Sequence, residues 1–94
     1  MEAIDWLSDF YEAISGDQRI GCSHISLYIT LIHKAFQLGW HQPISFYRNE
    51  VLGHARISRR TYNKCMADLQ AFGYLRYEPS TDSKTGSKVY LNRL

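Results

Sequence analysis

The hydrophobic positions of this chain recur at two different spacings, and each spacing predicts a type of secondary structure. Across residues 3–15 they recur every three or four positions, which is the period of one face of an α-helix. The residues on this face are Ile4, Leu7, Tyr11 and Ile14, with Trp6 and Phe10 beside them. Acidic residues occupy the other side, and Gly16 ends the helix. Residues 1–17 are therefore predicted to form an amphipathic helix.

A second helix is predicted over about residues 24–38, with Ser23 as its N-cap and Gly39 at its end. Its main apolar face comprises Ile25, Tyr28, Ile29, Ile32, Ala35 and Phe36. Further apolar side chains on other sides of the same helix are Leu27, Leu31 and Leu38. Because a helix that is apolar on most sides is usually enclosed by neighbouring elements, we expect this helix at the centre of the fold.

The segment after this helix allows two interpretations. Residues 44–46 form either a short edge strand or the lead into a helix that Ser45 caps. A short helix is then predicted near residues 47–54, followed by a tight turn at 55–57. The side chains of this region that are expected to face inward are Val51, Leu52 and Ala55.

The last part of the chain changes from the helical period to the strand period. Ser58 is predicted to cap a helix that runs to about Phe72, and Gly73 ends it in the left-handed conformation. Residues 74–78 and 88–92 alternate between apolar and polar side chains, so we expect two strands. The polar turn between them makes the pair a hairpin.

Two helices around a tight turn, followed by a hairpin, predict the fold class. The positions that must pack in a helix-turn-helix are apolar or nearly so: Val51, Ala55, Ile57, Tyr62 and Cys65. Arg56 stands where many such motifs carry glycine, so we expect a positive φ there. We predict a mainly α-helical protein with a small β-hairpin: a winged helix-turn-helix with a three-helix core and a wing over residues 23–94, preceded by the extra N-terminal helix.

The outward face of the helix that follows Ser58 is rich in basic and hydrogen-bonding side chains. At 100° per residue, the side chains opposite the buried face are Arg60, Asn63, Lys64 and Ala67. Arginine can pair with guanine and asparagine with adenine, and this face carries no carboxylate before Asp68. The predicted DNA-binding residues are Ser58, Arg59, Arg60, Thr61, Asn63, Lys64 and Ala67 on the helix, and Lys84 and Lys88 in the hairpin. The alternative is an ordinary solvated helix face.

Charge divides the chain into two halves. Residues 1–44 contain two basic and five acidic side chains, a net charge of −3, and residues 45–94 contain nine basic and four acidic ones, a net charge of +5. A polyanion is therefore expected to meet the C-terminal half. No segment approaches the roughly 20 apolar residues of a membrane span, and the acidic N-terminus is unlike a signal peptide, so a cytoplasmic protein is predicted.

The sequence carries no motif for catalysis or metal binding. It has no glycine-rich phosphate loop and no nucleophile motif, and its four histidines lack the spacing of zinc ligands. Cys22 and Cys65 have no CxxC spacing and are expected to be free, buried thiols. We therefore expect no enzymatic activity, no cofactor, no metal and no small-molecule substrate.

Four segments of the chain carry a family resemblance: SLYITLIHKAFQLGW, ISRRTYNKCMADLQAFGYL, YEPS and GSKVYL. They resemble the winged-helix domains of phage, plasmid and transposon replication initiators and of DnaD-type primosomal proteins, over about residues 23–91. The resemblance implies binding of double-stranded DNA through the helix that begins at Ser58, with the hairpin as the wing. It leaves open whether the role is replication initiation or transcriptional regulation of a mobile element, and whether the chain is a free-standing regulator or part of a longer protein.

The N-terminal helix suggests a second type of partner. An acidic helix repels phosphate, and its aromatic side either covers the core of its own chain or pairs with a second copy. The predicted dimerisation residues are Ile4, Trp6, Leu7, Phe10 and Tyr11. The alternative to DNA binding is thus a winged-helix module for protein–protein interaction or oligomerisation.

Overall fold

The computed structural model describes residues 2–80 and 86–94 of the chain. The helices are α1 (Glu2–Ser15), α2 (Cys22–Gln37), α3 (Arg48–Ala55) and α4 (Arg59–Ala71), and the strands are β1 (Ile44–Phe46), β2 (Leu75–Glu78) and β3 (Ser87–Leu91). The protein is thus mainly helical, with a small antiparallel sheet of three strands in the described residues. Among those residues, no helix has the length and apolarity needed to cross a lipid bilayer.

Helix α2 begins two residues earlier than the sequence predicts. Gly21, not Ser23, is the N-cap, because the backbone N–H of Gly21 donates to Nδ1 of His24 at 3.0 Å. The His24 ring thereby satisfies the N–H of the N-cap residue, and no hydroxyl caps the first turn as a serine would. Cys22 consequently occupies the first helical position and is exposed, so the expectation that it is buried is wrong, whereas Cys65 is buried as expected.

The segment that allowed two interpretations is a strand. β1 precedes α3, and Tyr47 rather than Ser45 is the N-cap residue of that helix. Arg56 follows α3 in the left-handed conformation, with φ of 60° and ψ of 43°, which confirms the predicted positive φ. Ser58 then caps α4 through a hydrogen bond from the backbone N–H of Thr61 to its Oγ (3.1 Å), as predicted.

The three strands lie in the order β1–β3–β2, and both pairings are antiparallel. The predicted hairpin is therefore β2 and β3, and β1 adds a third strand on the far side of β3. Gly73, with φ of 88°, turns the chain from α4 into β2. Gly86 precedes β3 where a Cβ atom would lie 2.8 Å from the carbonyl oxygen of Phe46, so only glycine lets the strands approach.

Helix α2 lies at the centre, in contact with α1, α3, α4 and β1, as its apolar pattern predicts. The side it buries differs in part from the prediction: Ile29 and Phe36 are exposed, 37% and 58% of their surface respectively. The buried residues of this helix are His24, Leu27, Tyr28, Leu31, Ile32 and Ala35. With neighbours on several sides, the packing selects the enclosed face, which periodicity alone does not identify.

Helix α1 is part of the same core. Trp6 and Phe10 are buried, and the Phe10 ring stacks on Tyr28 of α2 at 4.1 Å between centroids. The Trp6 ring stacks on Trp40. The guanidinium of Arg93 lies 4.7 Å from the centroid of the same Trp6 ring. The N-terminal segment and the rest of the chain therefore share one hydrophobic cluster.

Candidate nucleic-acid interface

The outward face of α4 carries the predicted reading residues. Arg60, Asn63, Lys64 and Ala67 are all exposed. The opposite face buries Tyr62, Cys65, Met66 and Leu69 against the core. The division of this helix into a buried and an exposed side is therefore confirmed. Its exposed side presents a guanidinium, a carboxamide and an ammonium group from neighbouring turns, next to an alanine that permits close approach.

The N-terminal end of α4 presents hydrogen-bond donors to solvent. Ser58, Arg59 and Arg60 are exposed, and Thr61 is half-buried. The cap at Ser58 fixes the direction of this first turn, where the partial positive charge of the helix dipole favours an anion. Arg59 also donates from Nη2 to Oδ1 of Asn49 on α3, at 3.4 Å. The start of α4 and the start of α3 are thereby linked.

Lys64 is held by a carboxylate that comes one turn later. Its Nζ donates to Oδ2 of Asp68 at 2.9 Å, and the same oxygen lies 2.8 Å from Nε2 of buried His24 on α2. The hydrogen bond to His24, with a smaller contribution from Lys64, lowers the pKa of Asp68. Hydrogen bonding to Asp68 raises the pKa of Lys64, so both groups are charged near neutral pH.

Lys88 lies in the second strand of the hairpin, where the alternating pattern of residues 88–92 predicts a strand. It is the second residue of the central strand β3, opposite Ser45 of β1 and Glu78 of β2, and its side chain is exposed. On the same outer face the guanidinium of Arg76 lies 4.1 Å from the centroid of the Tyr90 ring. Lys84, the second predicted wing residue, lies outside the described residues.

Three further polar side chains beside α4 were not selected from the sequence. Arg48 and Asn49 are exposed in the first turn of α3, and Arg56 is exposed at the turn between α3 and α4. Arg48 also acts on α4, because its charge opposes the rise that burial causes in the pKa of Tyr62. The sequence contains four arginines between positions 48 and 60, and this local concentration of positive charge could have identified the region. Helical periodicity alone does not take charge into account.

The predicted dimerisation residues separate into two groups. Trp6 and Phe10 are buried in the core of their own chain, so in this fold they do not face a second subunit. Ile4 and Tyr11 are exposed, 59% and 47% of their surface, and Leu7 is half-buried. An exposed apolar strip therefore remains on α1, but it is narrower than the sequence predicts.

Comparison of the chain with models of known protein families, with curated proteins and with solved structures found no match. Within the described residues, no group of three or more histidine, cysteine, aspartate or glutamate side chains is arranged to hold a metal ion. The features that bear on function are therefore the exposed face of α4 and the elements beside it.

Proposed function

We propose that this protein is a winged-helix protein that binds double-stranded DNA, with α4 in the major groove and the β2–β3 hairpin as the wing. In this assignment α2, α3 and α4 are the three core helices, and α1 is an addition to them. The order of elements supports the proposal, because a strand lies between the first two core helices and pairs with the hairpin. Replication initiation or transcriptional regulation of a mobile element is the role that the family resemblance suggests.

The observation that carries the proposal is the exposed side of α4. Its reading residues Arg60 and Asn63 have the donors and acceptors that bind guanine and adenine edges, and Ala67 leaves room for the groove wall. Ser58, Arg59 and Thr61 stand at the end of the helix where phosphate is favoured. An ordinary solvated helix surface would also be exposed, but it more often mixes acidic and basic residues along its whole length.

Asp68 adds a contact that joins distant parts of the chain and that no sequence pattern indicates. In the free protein its carboxylate holds Lys64, so a DNA phosphate must compete with an existing ion pair. The exposed side chain of Lys64 can rotate towards a phosphate, while His24 keeps Asp68 on the core side of the helix. Lys64 is therefore expected to contribute a phosphate contact of moderate strength, and Arg60 the larger part of base recognition.

The test is a fluorescence-anisotropy titration of the protein with mixed-sequence and selected duplexes over a salt series. Neutralising about five phosphates gives a log–log slope of affinity against salt concentration of about −4 to −5. Arg60→Ala is expected to cost about 1–3 kcal/mol of binding free energy on a selected site and to relax specificity at one base pair. Lys64→Ala is expected to weaken all duplexes alike and to reduce the magnitude of the slope by about 0.9.

Arg93→Gln is the charge-matched control, because it removes one positive charge beside Trp6 of α1 rather than on α4. It should leave the slope and the specificity close to those of the wild type. If the wild-type protein binds no duplex at low salt, or if the α4 variants behave like the control, the DNA-binding proposal is wrong.

A second candidate function is protein–protein interaction or self-association without direct DNA binding. The observation that favours it is the exposed strip on α1, in which Ile4 and Tyr11 lie two helical turns apart beside half-buried Leu7. Large exposed apolar side chains in a row are typical of contact surfaces. This candidate and the first one are compatible, since many DNA-binding proteins act as two-fold dimers.

A further inference from the structure

A cleft lies between α2 and α3, with a volume of about 370 Å³. Its lining residues are Ile29, Thr30, His33, Gly53, His54 and Arg56. Two imidazoles and a guanidinium therefore enter one space, and none of the lining residues is acidic. His33, His54 and Arg56 are all exposed, and their side chains form no hydrogen bond or ion pair in the described part of the chain.

Arg56 is the most unusual of these residues. It has a left-handed backbone, with φ of 60°, directly after the end of α3, where glycine is the usual residue. A residue with a side chain is strained in this conformation, and such strain is concentrated at functional sites. Glycine would adopt this backbone conformation with less strain than arginine. We therefore attribute the presence of arginine at this position to its guanidinium group.

The walls of the cleft are fixed to one another. The Ser26 hydroxyl of α2 donates to the carbonyl oxygen of Ala55 at the end of α3, at 2.5 Å. About two helical turns farther along α2, Lys34 forms an ion pair with Glu50 of α3. The Glu50 carboxylate, which His54 also influences, is therefore already neutralised by Lys34. The Ser26 contact satisfies one of the C-terminal carbonyls of α3, and Arg56 offsets the remaining negative end of that helix.

We propose that this cleft binds a small phosphorylated molecule of the phosphate monoester class. Arg56 can donate two parallel N–H bonds to phosphate oxygens, and the imidazoles of His33 and His54 add donors from both helices. The cleft exceeds the size of a phosphate group, and the exposed side chain of Ile29 offers an apolar wall to the organic part of the ligand. Gly53 leaves space on the opposite side.

The test uses inorganic phosphate as the probe, added to the full chain while backbone-amide NMR shifts are recorded. Saturable shifts are expected at residues 29–33 and 53–56, with a Kd on the order of 1 mM. Sodium chloride at matched ionic strength should not reproduce them, because it supplies no phosphate oxygens. Arg56→Gly should weaken phosphate binding about tenfold or more, while its Tm is unchanged or higher because the left-handed strain is relieved.

Two controls separate this site from DNA binding. Arg60→Gln, which removes a charge from the exposed face of α4, should leave phosphate binding intact. His33→Gln, which removes an imidazole from the α2 wall of the cleft, should weaken phosphate binding and leave the affinity for duplex DNA close to that of the wild type. The proposal is overturned if phosphate causes no saturable shifts at the cleft, or if Arg56→Gly binds phosphate as the wild type does. It is also overturned if Arg56→Gly weakens DNA instead of phosphate, which would make the cleft part of the DNA interface.

Discussion

Asp17 joins two distant parts of the chain through one carboxylate. Its two oxygens accept from Nε and Nη2 of Arg19, each at 2.8 Å, and Oδ2 also accepts from the hydroxyl of Tyr74 at 2.8 Å. Arg19 in turn lies over the ring of Phe72, 4.0 Å from its centroid. The loop after α1 is thus attached to the segment that connects α4 to β2.

The ionic state of Asp17 makes this attachment depend on pH. Hydrogen bonding to Arg19, followed by the bond from Tyr74, holds the pKa of Asp17 well below its usual range. A carboxyl group with a lowered pKa in the folded state stabilises the fold above its unfolded pKa, about 3.9, and this contribution is lost as the pH falls towards the folded value. Burial, together with the bond to Asp17, raises the pKa of Tyr74 to about 12.

Asp17→Asn is therefore expected to lower the Tm at neutral pH, and the difference from the wild type should shrink as the pH falls below about 3.9. Thermal denaturation followed by circular dichroism over this range measures the effect. Tyr74→Phe keeps the ring and removes the hydroxyl, so it should reproduce only the smaller part of the loss. A difference in Tm that stays constant down to the acid limit would contradict a role for the charge.

At the level of single residues, the sequence predicts best where the physical cause is local. The cap at Ser58 and the positive φ at Arg56 depend on neighbouring positions, and both are confirmed. The contact between His24 and Asp68 joins residues 44 positions apart, and no sequence pattern indicated it. The cap of α2 is an exception, because its cause is local and still was not predicted: the ring of His24, three positions along, accepts from the backbone N–H of Gly21.

Among the elements, α1 is the one for which the sequence leaves two roles open, covering the core of its own chain or pairing with a second copy. The sequence separates residues 1–17 from a domain at 23–94, whereas Trp6 and Phe10 of α1 belong to the same buried cluster as α2 and β3. Helical periodicity shows that a helix has an apolar side. It does not show whether that side packs against the core of the same chain or against a second copy, because both contacts require an apolar surface. The structure assigns the aromatic side to the chain's own core.

Phe10→Ala should therefore lower the free energy of unfolding by about 3–5 kcal/mol, the usual cost of truncating a buried phenylalanine. Urea denaturation of the full chain measures it. Tyr11→Ala is the matched control, because Tyr11 is the next residue along α1 and its own aromatic side chain is 47% exposed. This variant should change the free energy of unfolding by no more than about 0.5 kcal/mol. Equal costs for the two variants would mean that α1 does not form part of the core.

At the scale of the whole molecule, the two proposed partners occupy differently charged regions. α1 exposes Asp5 and Glu12, which repel phosphate, while the exposed face of α4 begins with arginine and ends at the pair of Lys64 and Asp68. DNA bound as proposed would therefore meet α4 and leave the α1 strip accessible. A second subunit on that strip would add its own basic face to the assembly without adding phosphate contacts at α1.

Self-association through α1 is tested by sedimentation velocity over a range of protein concentrations. If the strip forms a dimer, the wild-type chain should approach twice the monomer mass on concentration, and the double variant Ile4→Glu with Tyr11→Glu should remain monomeric. Phe36→Glu is the control, since this side chain is equally exposed but lies on α2. A wild-type chain that stays monomeric throughout would exclude the dimer, and an effect of the control alone would move the contact to α2.

The sequence by itself determined the order of the helices, the hairpin, the cap at Ser58 and the division of α4 into buried and exposed sides. Each follows from residues within a few positions of one another, where period, capping and backbone sterics act. Tertiary structure alone decided that residues 44–46 form a strand, that Trp6 and Phe10 are internal, and that Lys64 is held by Asp68. The cleft beside Arg56 also belongs to this second group. These features join positions far apart in the chain, and packing of the helices and strands brings them together.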